Sequence, residues 1–526
     1  MSITGIPPCD RGVILSGTAG APCSLGTRRW TLAVAILGSS LAFVDSTVVN
    51  VALPAIQQQM DATTASAQWV MESFALLLSA LLLVGGALGD RFGRRRVFML
   101  GASVFTLASI GCALSPDINI LIGMRGVQGL GAALLVPGSL ALISAAYPKD
   151  ERGASIGTWS AFSGIAAALG PVLGGYLVEH YSWVWAFLIN VPIGGVVLIL
   201  CALKVDESYG ASRKDPIDLR GASCITLGLS GIVFALIESP VRGWTSPLIL
   251  IAAVVGVVGC GLFLHVEKRV RAPMLPLELF RERDFATANG LSLLLYAALG
   301  GSLFFLPLNL IQVQGYGATA AGAALIPFIA IMFLLSRWAG RLVDRFGARP
   351  PLVAGPAIAA VSFVLFTLPS IGDSYWTGFF PAVCVLGLGM SVTVAPLTTT
   401  VMNAVGAERA GTASGVNNAI ARTAGLLAIA VFGVVLTAVY GARLVHELSN
   451  LHLPQDLRES IMQQRDKLAG TVLPEGTSAS AVAELKQAIG MAFVSGFRLV
   501  MWISAGMALA SALGTWFFMR PQKDSH

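Results

Sequence analysis

The chain has 526 residues, of which 55% are apolar and 12% charged, and its mean hydropathy is +0.76. Soluble globular chains carry about 25% charged residues, so too few polar groups are present to clothe a soluble protein of this length. What remains is an all-α, polytopic membrane protein, and the formal charge of +6 falls in short basic bursts between apolar runs rather than in a nucleic-acid-binding patch.

Residues 1–29 read as a cytosolic, mostly disordered tail; the run that follows is too long for a cleaved signal. A helix needs about 20 apolar residues to cross a bilayer core. Fourteen stretches meet that length, at about 31–53, 68–88, 97–115, 120–143, 155–178, 185–203, 219–238, 247–266, 286–311, 321–341, 351–370, 377–402, 412–440 and 491–519. With the N-terminus placed in the cytosol, 24 of the 34 Lys and Arg residues fall on the cytosolic side. The positive-inside rule then puts both termini there. The long loop 441–490 lies outside in this arrangement. Its stretches 455–469 and 478–489 read as amphipathic helices in a flexible linker.

The chain repeats itself. "GGALGDRFGRRR" (85–96) returns as "GRLVDRFGARP" (340–350), so that Asp90 precedes Asp344 by 254 residues. "GLG" at Gly129–Gly131 returns at Gly387–Gly389, and "ERGAS" from Glu151 returns as "ERAGTAS" from Glu408. The nearly constant offset predicts two six-helix halves, 30–203 and 285–519, around an inserted helix pair in 204–284, with a short tail at 520–526.

These motifs, with "RGVQGLGAAL" (125–134) and "GPVLGG" (170–175), resemble the signatures of the major facilitator superfamily. "VDSTVVNVALP" (44–54), "WVWAFLINVPIG" (183–194) and the fourteen stretches narrow the resemblance to its fourteen-helix drug:proton antiporters. Val184 departs from that pattern, which has Arg between the two tryptophans, so no basic group at the outer mouth is carried over. The resemblance implies the major facilitator fold, multidrug export coupled to protons, and a conformational role for the repeated loop motif.

Charges inside spans are the sharpest signals, since each costs roughly 2.5–3.5 kcal/mol on insertion scales. Counting about 1.5 Å per residue puts Asp45 about 21 Å and Arg125 about 22 Å from the cytosolic face, with Glu72 in the same outer third. An acid beside an Arg ionises readily while desolvation opposes charge, which is the balance a proton-coupling site needs. A static ion pair is the competing reading for Asp45 and Arg125, substrate contact a further one for Asp45, and a place at the outer interface the alternative for Glu72. For Arg125 the resemblance implies a part in proton transfer.

Gly86, Asp90, Arg91, Gly93 and Arg94, with Asp344 and Arg345 in the repeat, read either as a conformational latch or as a topogenic basic loop. Gly164, Gly170, Pro171, Gly174 and Gly175 read as a hinge and seal, or as ordinary membrane-helix packing. Asn50 and Pro54 are expected to shape the end of the first helix. Phe43, Phe74, Trp159, Tyr296, Phe304, Phe305, Asn309, Gln312 and Arg422 are candidates for a substrate cavity, against the alternative of packing or lipid contact. Arg337 and Arg498 are expected to snorkel, and Glu238 and Arg242 to pair at the outer surface.

The sequence thus predicts a proton-driven exporter of small lipophilic or cationic compounds, with a dedicated exporter of one metabolite, lipid or siderophore as the alternative. Enzymatic chemistry is not expected, because the scattered histidines and the cysteines Cys112, Cys201, Cys224, Cys260 and Cys384 form no nucleophile–base or metal set. No lysine follows a glycine, so no ATP-binding P-loop is present. The expected partners are substrate, protons and the bilayer, with no cofactor and no nucleic acid. A monomer, alone or with accessory efflux proteins, completes the expectation.

Overall fold

A computed structural model describes residues 25–210, 218–270, 273–405, 410–451, 453–474 and 477–520. Residues 1–24 of the expected tail 1–29, residues 521–526 and the linker 211–217 lie outside the described residues, and residues 25–29 of that tail are helical. In chain order the α-helices are α1 (Leu25–Gln59), α2 (Thr64–Phe92), α3 (Arg94–Ala113), α4 (Ile118–Ala146), α5 (Lys149–His180), α6 (Val184–Leu188) and α7 (Asn190–Lys204). There follow α8 (Leu219–Arg242), α9 (Pro247–Glu267), α10 (Arg283–Leu308), α11 (Ala318–Ala323), α12 (Ile326–Phe346) and α13 (Arg349–Leu365). Last come α14 (Tyr375–Asn403), α15 (Ala410–Ser449), α16 (Gln455–Gln463) and α17 (Ala479–Phe518). No strand occurs among the described residues.

Among the described residues, thirteen helical segments are long and apolar enough to cross a membrane, and the shorter apolar helix α13 takes the place of the eleventh expected stretch. The protein is a multi-pass membrane protein. Helix formation follows from the solvent: in hydrocarbon every backbone N–H and C=O must be satisfied within the segment, and a helix does this locally. Where helices emerge, side chains take over. Asp117 caps α4 by accepting from the N–H groups of Asn119 (2.8 Å) and Ile120 (3.1 Å). The first helix does not end at Pro54 as expected but continues to Gln59 with the proline inside it.

The chain folds as two compact units. One comprises the chain up to Val49 with Val70–Ser230 and Val255–Leu275; the other comprises Asn50–Trp69, Gly231–Val254 and the chain from Pro276. The sequence repeat is visible in how small residues let helices meet. A Cβ on Gly131 would lie 2.6 Å from Phe105 N and 2.9 Å from Gly101 O; one on Gly389 would lie 2.7 Å from Ala359 N and 2.8 Å from Gly355 O. Gly129 lies against the Phe74 carbonyl and Gly387 against the Phe328 carbonyl in the same way. Gly101 and Gly355, Phe105 and Ala359, and Phe74 and Phe328 are each 254 residues apart, the offset of Asp90 and Asp344.

The loop 441–490 is not the flexible linker its polar composition suggests. Helix α15 runs on to Ser449, α17 begins at Ala479, and α16 lies between them. Ile461 and Leu468 are fully buried, and the buried Tyr440 hydroxyl donates to Leu468 O (2.9 Å). The α1–α2 hairpin joins this packing: Gln57 donates to Lys467 O (3.1 Å), Gln312 donates to Gln57 (3.0 Å), and Asp61 pairs with Lys467. Apolar anchors at 461 and 468 make it a built cap.

Candidate functional site

Asp45 is fully buried in α1 at the centre of a polar cluster in an otherwise apolar bundle. Its Oδ2 accepts from Arg125 of α4 at 2.5 Å. Its Oδ1 accepts from Gln128 Nε2 at 2.8 Å and from Asn190 Nδ2 of α7 at 2.9 Å. The helical period explains two of these donors, because residues 125 and 128, three apart, share one face of α4.

Arg125 is held through Nε and Nη1, while its buried Nη2 makes no hydrogen bond. Nε donates to Val70 O (2.9 Å) and Nη1 also to Gln128 Oε1 (2.6 Å). The guanidinium carbon stands 4.4 Å from the Phe74 ring centroid and 5.8 Å from that of Phe187. Gln128 donates in addition to Ser109 Oγ (2.9 Å) and accepts from Cys112 Sγ (3.8 Å). A buried ion pair stripped of one partner loses about 3–5 kcal/mol, because a desolvated charge is left uncompensated. Any event that neutralises Asp45 therefore rearranges its donors.

Glu72 is fully buried, and neither carboxylate oxygen makes a hydrogen bond. It is thus inside the fold, but it is not joined to Asp45 and Arg125 by hydrogen bonds. Gln128 and Asn190 complete the cluster without having been singled out as candidates. Both lie in the quoted motifs, and Gln128 shares the face of Arg125.

The loop between α2 and α3 is tightly organised. Asp90 Oδ1 accepts from Arg94 Nε (2.9 Å), and Arg94 Nη1 reaches Ala141 O (3.3 Å). Gly93 has φ +111°, and a Cβ there would sit 2.7 Å from the Glu207 carboxyl carbon. That carboxylate accepts from the N–H groups of Arg95 (2.9 Å) and Arg96 (3.2 Å), closing the exposed start of α3. The segment after α7 completes the fastening: Arg94 N donates to Ser208 O (2.8 Å) and Gly210 N to Asp90 O (3.0 Å). Close by, burial first and the charge of Arg94 second lower the pKa of Arg152 from its usual value.

Arg91 lies over Phe92 (5.5 Å to the centroid), as Arg345 lies over Phe346 (5.2 Å); Gly347, with φ +76°, repeats Gly93. The side chains of Asp344 and Arg337 lie outside the described residues. Gly86 and Gly89 make only ordinary contacts, whereas Gly85 is the close approach: a Cβ there would fall 1.9 Å from Ala133 O. On α5, Gly170 faces Thr47 and Gly174 faces the Val48 backbone, with a Cβ at 174 reaching 3.0 Å from Val48 Cα and O. Pro171 sits inside the continuous α5, with Gly175 buried behind it and Gly164 facing open space.

The cavity candidates separate into several environments. Phe43 meets Trp159 edge-on at 6.5 Å, and the indole donates to Ser39 Oγ (2.9 Å). Phe74 is buried against Phe105 and Arg125, so it supports the ion pair. Phe304 and Phe305 are core residues; Asn309 is buried where α10 passes into a π-turn, Asn309–Val313. Tyr296 packs beside Ala424 and Ala428. Arg422, half-buried in α15, donates to Asn418 (3.2 Å), while Asn417 bonds Asn289 (3.1 Å) and Ser292 (2.6 Å). Arg498 donates to Pro369 O (3.1 Å), and Glu238 pairs with Arg242 (2.9 Å) while accepting from Trp69 (3.0 Å).

Residues 35–430 match the model of the Major Facilitator Superfamily. The chain belongs to that superfamily. Among its relatives within the superfamily, "Multidrug resistance protein Stp" of Mycobacterium tuberculosis is 34% identical over 93% of this chain and 92% of its own. The "Tetracenomycin C resistance and export protein" of Streptomyces glaucescens is 30% identical over 97% and 95%. The "Methylenomycin A resistance protein" of Bacillus subtilis is 36% identical over 77% and 87%. Among solved structures, a bacterial homologue of the lysosomal transporter Spinster has the same major facilitator fold, with a TM-score of 0.63 at 18% identity over 94% of this chain and 98% of that one. This chain is accordingly a major facilitator transporter.

Proposed function

We propose that the protein is a proton-coupled antiporter that exports small lipophilic or cationic compounds by alternating access. The observation that carries this reading is the fully buried Asp45–Arg125 pair. A carboxylate kept in hydrocarbon by a cation and two amides has two stable conditions: ionised with its donors, or neutral without them. Protons arriving from outside neutralise Asp45 and favour release of substrate outward. Loss of the proton toward the cytosol restores the pair and the substrate-binding state. Glu72, buried without hydrogen bonds, is a second proton-carrying group in this scheme.

The fastened α2–α3 loop and the α1–α5 glycine contacts serve as the gating parts, and Arg422 and Tyr296 line the substrate path. The basic loops support a plasma-membrane protein with both termini in the cytosol, working as a monomer on substrate and protons in the bilayer. The relatives named for multidrug and antibiotic resistance support export of drug-like compounds. The relatives named for a single antibiotic favour a second reading, a dedicated exporter of one metabolite.

Ethidium flux into everted membrane vesicles under an imposed pH gradient tests the first reading. Asp45→Asn and Arg125→Ala are expected to abolish gradient-driven flux, and unchanged flux in both would overturn it. Broad drug sensitivity of a deletion strain separates multidrug export from the dedicated alternative.

A further inference from the structure

Asn190 uses only half of its side-chain amide. It is fully buried at the start of α7, Nδ2 donates to Asp45 Oδ1 at 2.9 Å, and Oδ1 has no hydrogen-bond partner. A buried amide oxygen is rarely left unpaired in a finished fold. Gln128, the other amide on Asp45, has no such freedom. Its Nε2 serves Asp45 and Ser109 together, and its Oε1 accepts from Arg125 and Cys112. Gln128 is therefore fixed at both ends, and Asn190 is tethered at one.

We propose that Asn190 is a positioning residue that serves both protonation states of Asp45 by turning its amide over. Towards the carboxylate it presents Nδ2–H as a donor. Towards the carboxylic acid it presents Oδ1 as an acceptor, since a protonated carboxyl carries one O–H that needs a partner. The inference rests on the proton-coupling reading of Asp45.

The proton balance is simple. A proton from water on the outer side binds one carboxylate oxygen of Asp45, whose charge goes from minus one to zero. The ion pair with Arg125 ends, and the new O–H donates to Asn190 Oδ1. On the cytosolic side the proton returns to water and the amide turns back; Asn190 itself never carries the proton. Arg125 remains held meanwhile by Val70 O, Gln128 Oε1 and the rings of Phe74 and Phe187. The ionisable groups that meet the Asp45 cluster are Arg125 on α4 and Cys112 on α3, and Glu72 on α2 is buried without a hydrogen bond to it. Only Arg125 among them hydrogen-bonds Asp45 in the ionised cluster, and as a guanidinium it can only donate.

The test uses the full chain in liposomes with ethidium as the probe. Two rates are measured: flux driven by a pH gradient, and ethidium exchange without a gradient at a pH where Asp45 stays ionised. For Asn190→Leu the ratio of gradient-driven flux to exchange is expected to fall about tenfold, the scale of one buried neutral hydrogen bond. Asn190→Asp, nearly the same in shape, is expected to move the midpoint of the pH profile upward, because two adjacent carboxyls share a proton.

An unchanged ratio in Asn190→Leu overturns the proposal, as does equal loss of both rates, which marks a packing role. An upward midpoint shift in Asn190→Leu with the maximal rate retained also overturns it, since Asn190 would then be a donor only. An unmoved midpoint in Asn190→Asp does the same. Asp45→Asn separates this from the underlying reading: if that variant keeps gradient-driven flux, proton coupling at Asp45 fails whatever Asn190 does.

Discussion

The guanidinium of Arg125 lies between the carboxylate of Asp45 and the face of Phe74, 2.5 Å from Oδ2 and 4.4 Å from the ring centroid. The ring gives the cation a partner that does not titrate. In the proposed cycle this contact is what Arg125 would retain once Asp45 is neutral. Desolvated cation–π contacts are worth about 2 kcal/mol. Phe74→Leu, which keeps an apolar side chain but removes the ring, is expected to lower stability by about that much. It is also expected to reduce gradient-driven ethidium flux; thermal unfolding in detergent and vesicle transport check the two effects.

The two glycines of α5 should respond differently to a methyl group. At Gly170 the obstacle is Thr47 Oγ1, at 1.9 Å from an added Cβ; at Gly174 Val48 Cγ1 stands at 2.9 Å, but Val48 Cα and O at 3.0 Å would remain after the side chain is trimmed. Overpacking costs about 1–3 kcal/mol. Gly170→Ala is expected to be partly rescued by Thr47→Ala, whereas trimming Val48 should not rescue Gly174→Ala. Transport and unfolding temperature of the double variants distinguish the two cases.

The Glu207 carboxylate caps α3 from the far side of the loop, and Gly93 makes room for it. Glu207→Ala is expected to cost about 1 kcal/mol, the usual worth of a helix cap. Gly93→Ala adds a strained φ of +111° and a collision with that carboxylate. It should cost more, about 1–3 kcal/mol from the backbone strain alone. Because both act on one contact, their effects in the double variant should be less than additive, as a thermal double-mutant cycle would show.

Much of the fold was legible because membrane helices announce their length and the repeat announces its offset. Positive φ at both Gly93 and Gly347, and the paired glycine approaches at 131 and 389, express that nearly constant offset, 254 and 258 residues, in three dimensions. Asp45 and Arg125 were legible as neighbours because a fixed rise per residue places both at one depth. Gln128 and Asn190 were not, since neutral amides carry no comparable insertion cost and stand out less in an apolar run. Glu207 was hidden because a cap from a distant segment has no local sequence signature. The helical stretches of the loop 441–490 were legible, but its anchoring was not, because the buried Ile461 and Leu468 sit in a polar run.

That cap gives a further prediction. Tyr440→Phe leaves Leu468 O without its donor and is expected to cost about 1 kcal/mol, as a lost buried hydrogen bond does. Leu468→Asp, which puts a charge in a fully buried place, should loosen residues 455–474 outright. Limited proteolysis of the loop in intact protein should be slightly faster for the first variant and much faster for the second.

The most direct test of proton coupling at Asp45 is proton release on adding ethidium to purified, weakly buffered protein, followed with a pH indicator. If substrate binding and protonation of Asp45 exclude each other, wild-type protein releases protons and Asp45→Asn, still binding ethidium, releases none. Equal release from both proteins would contradict the account.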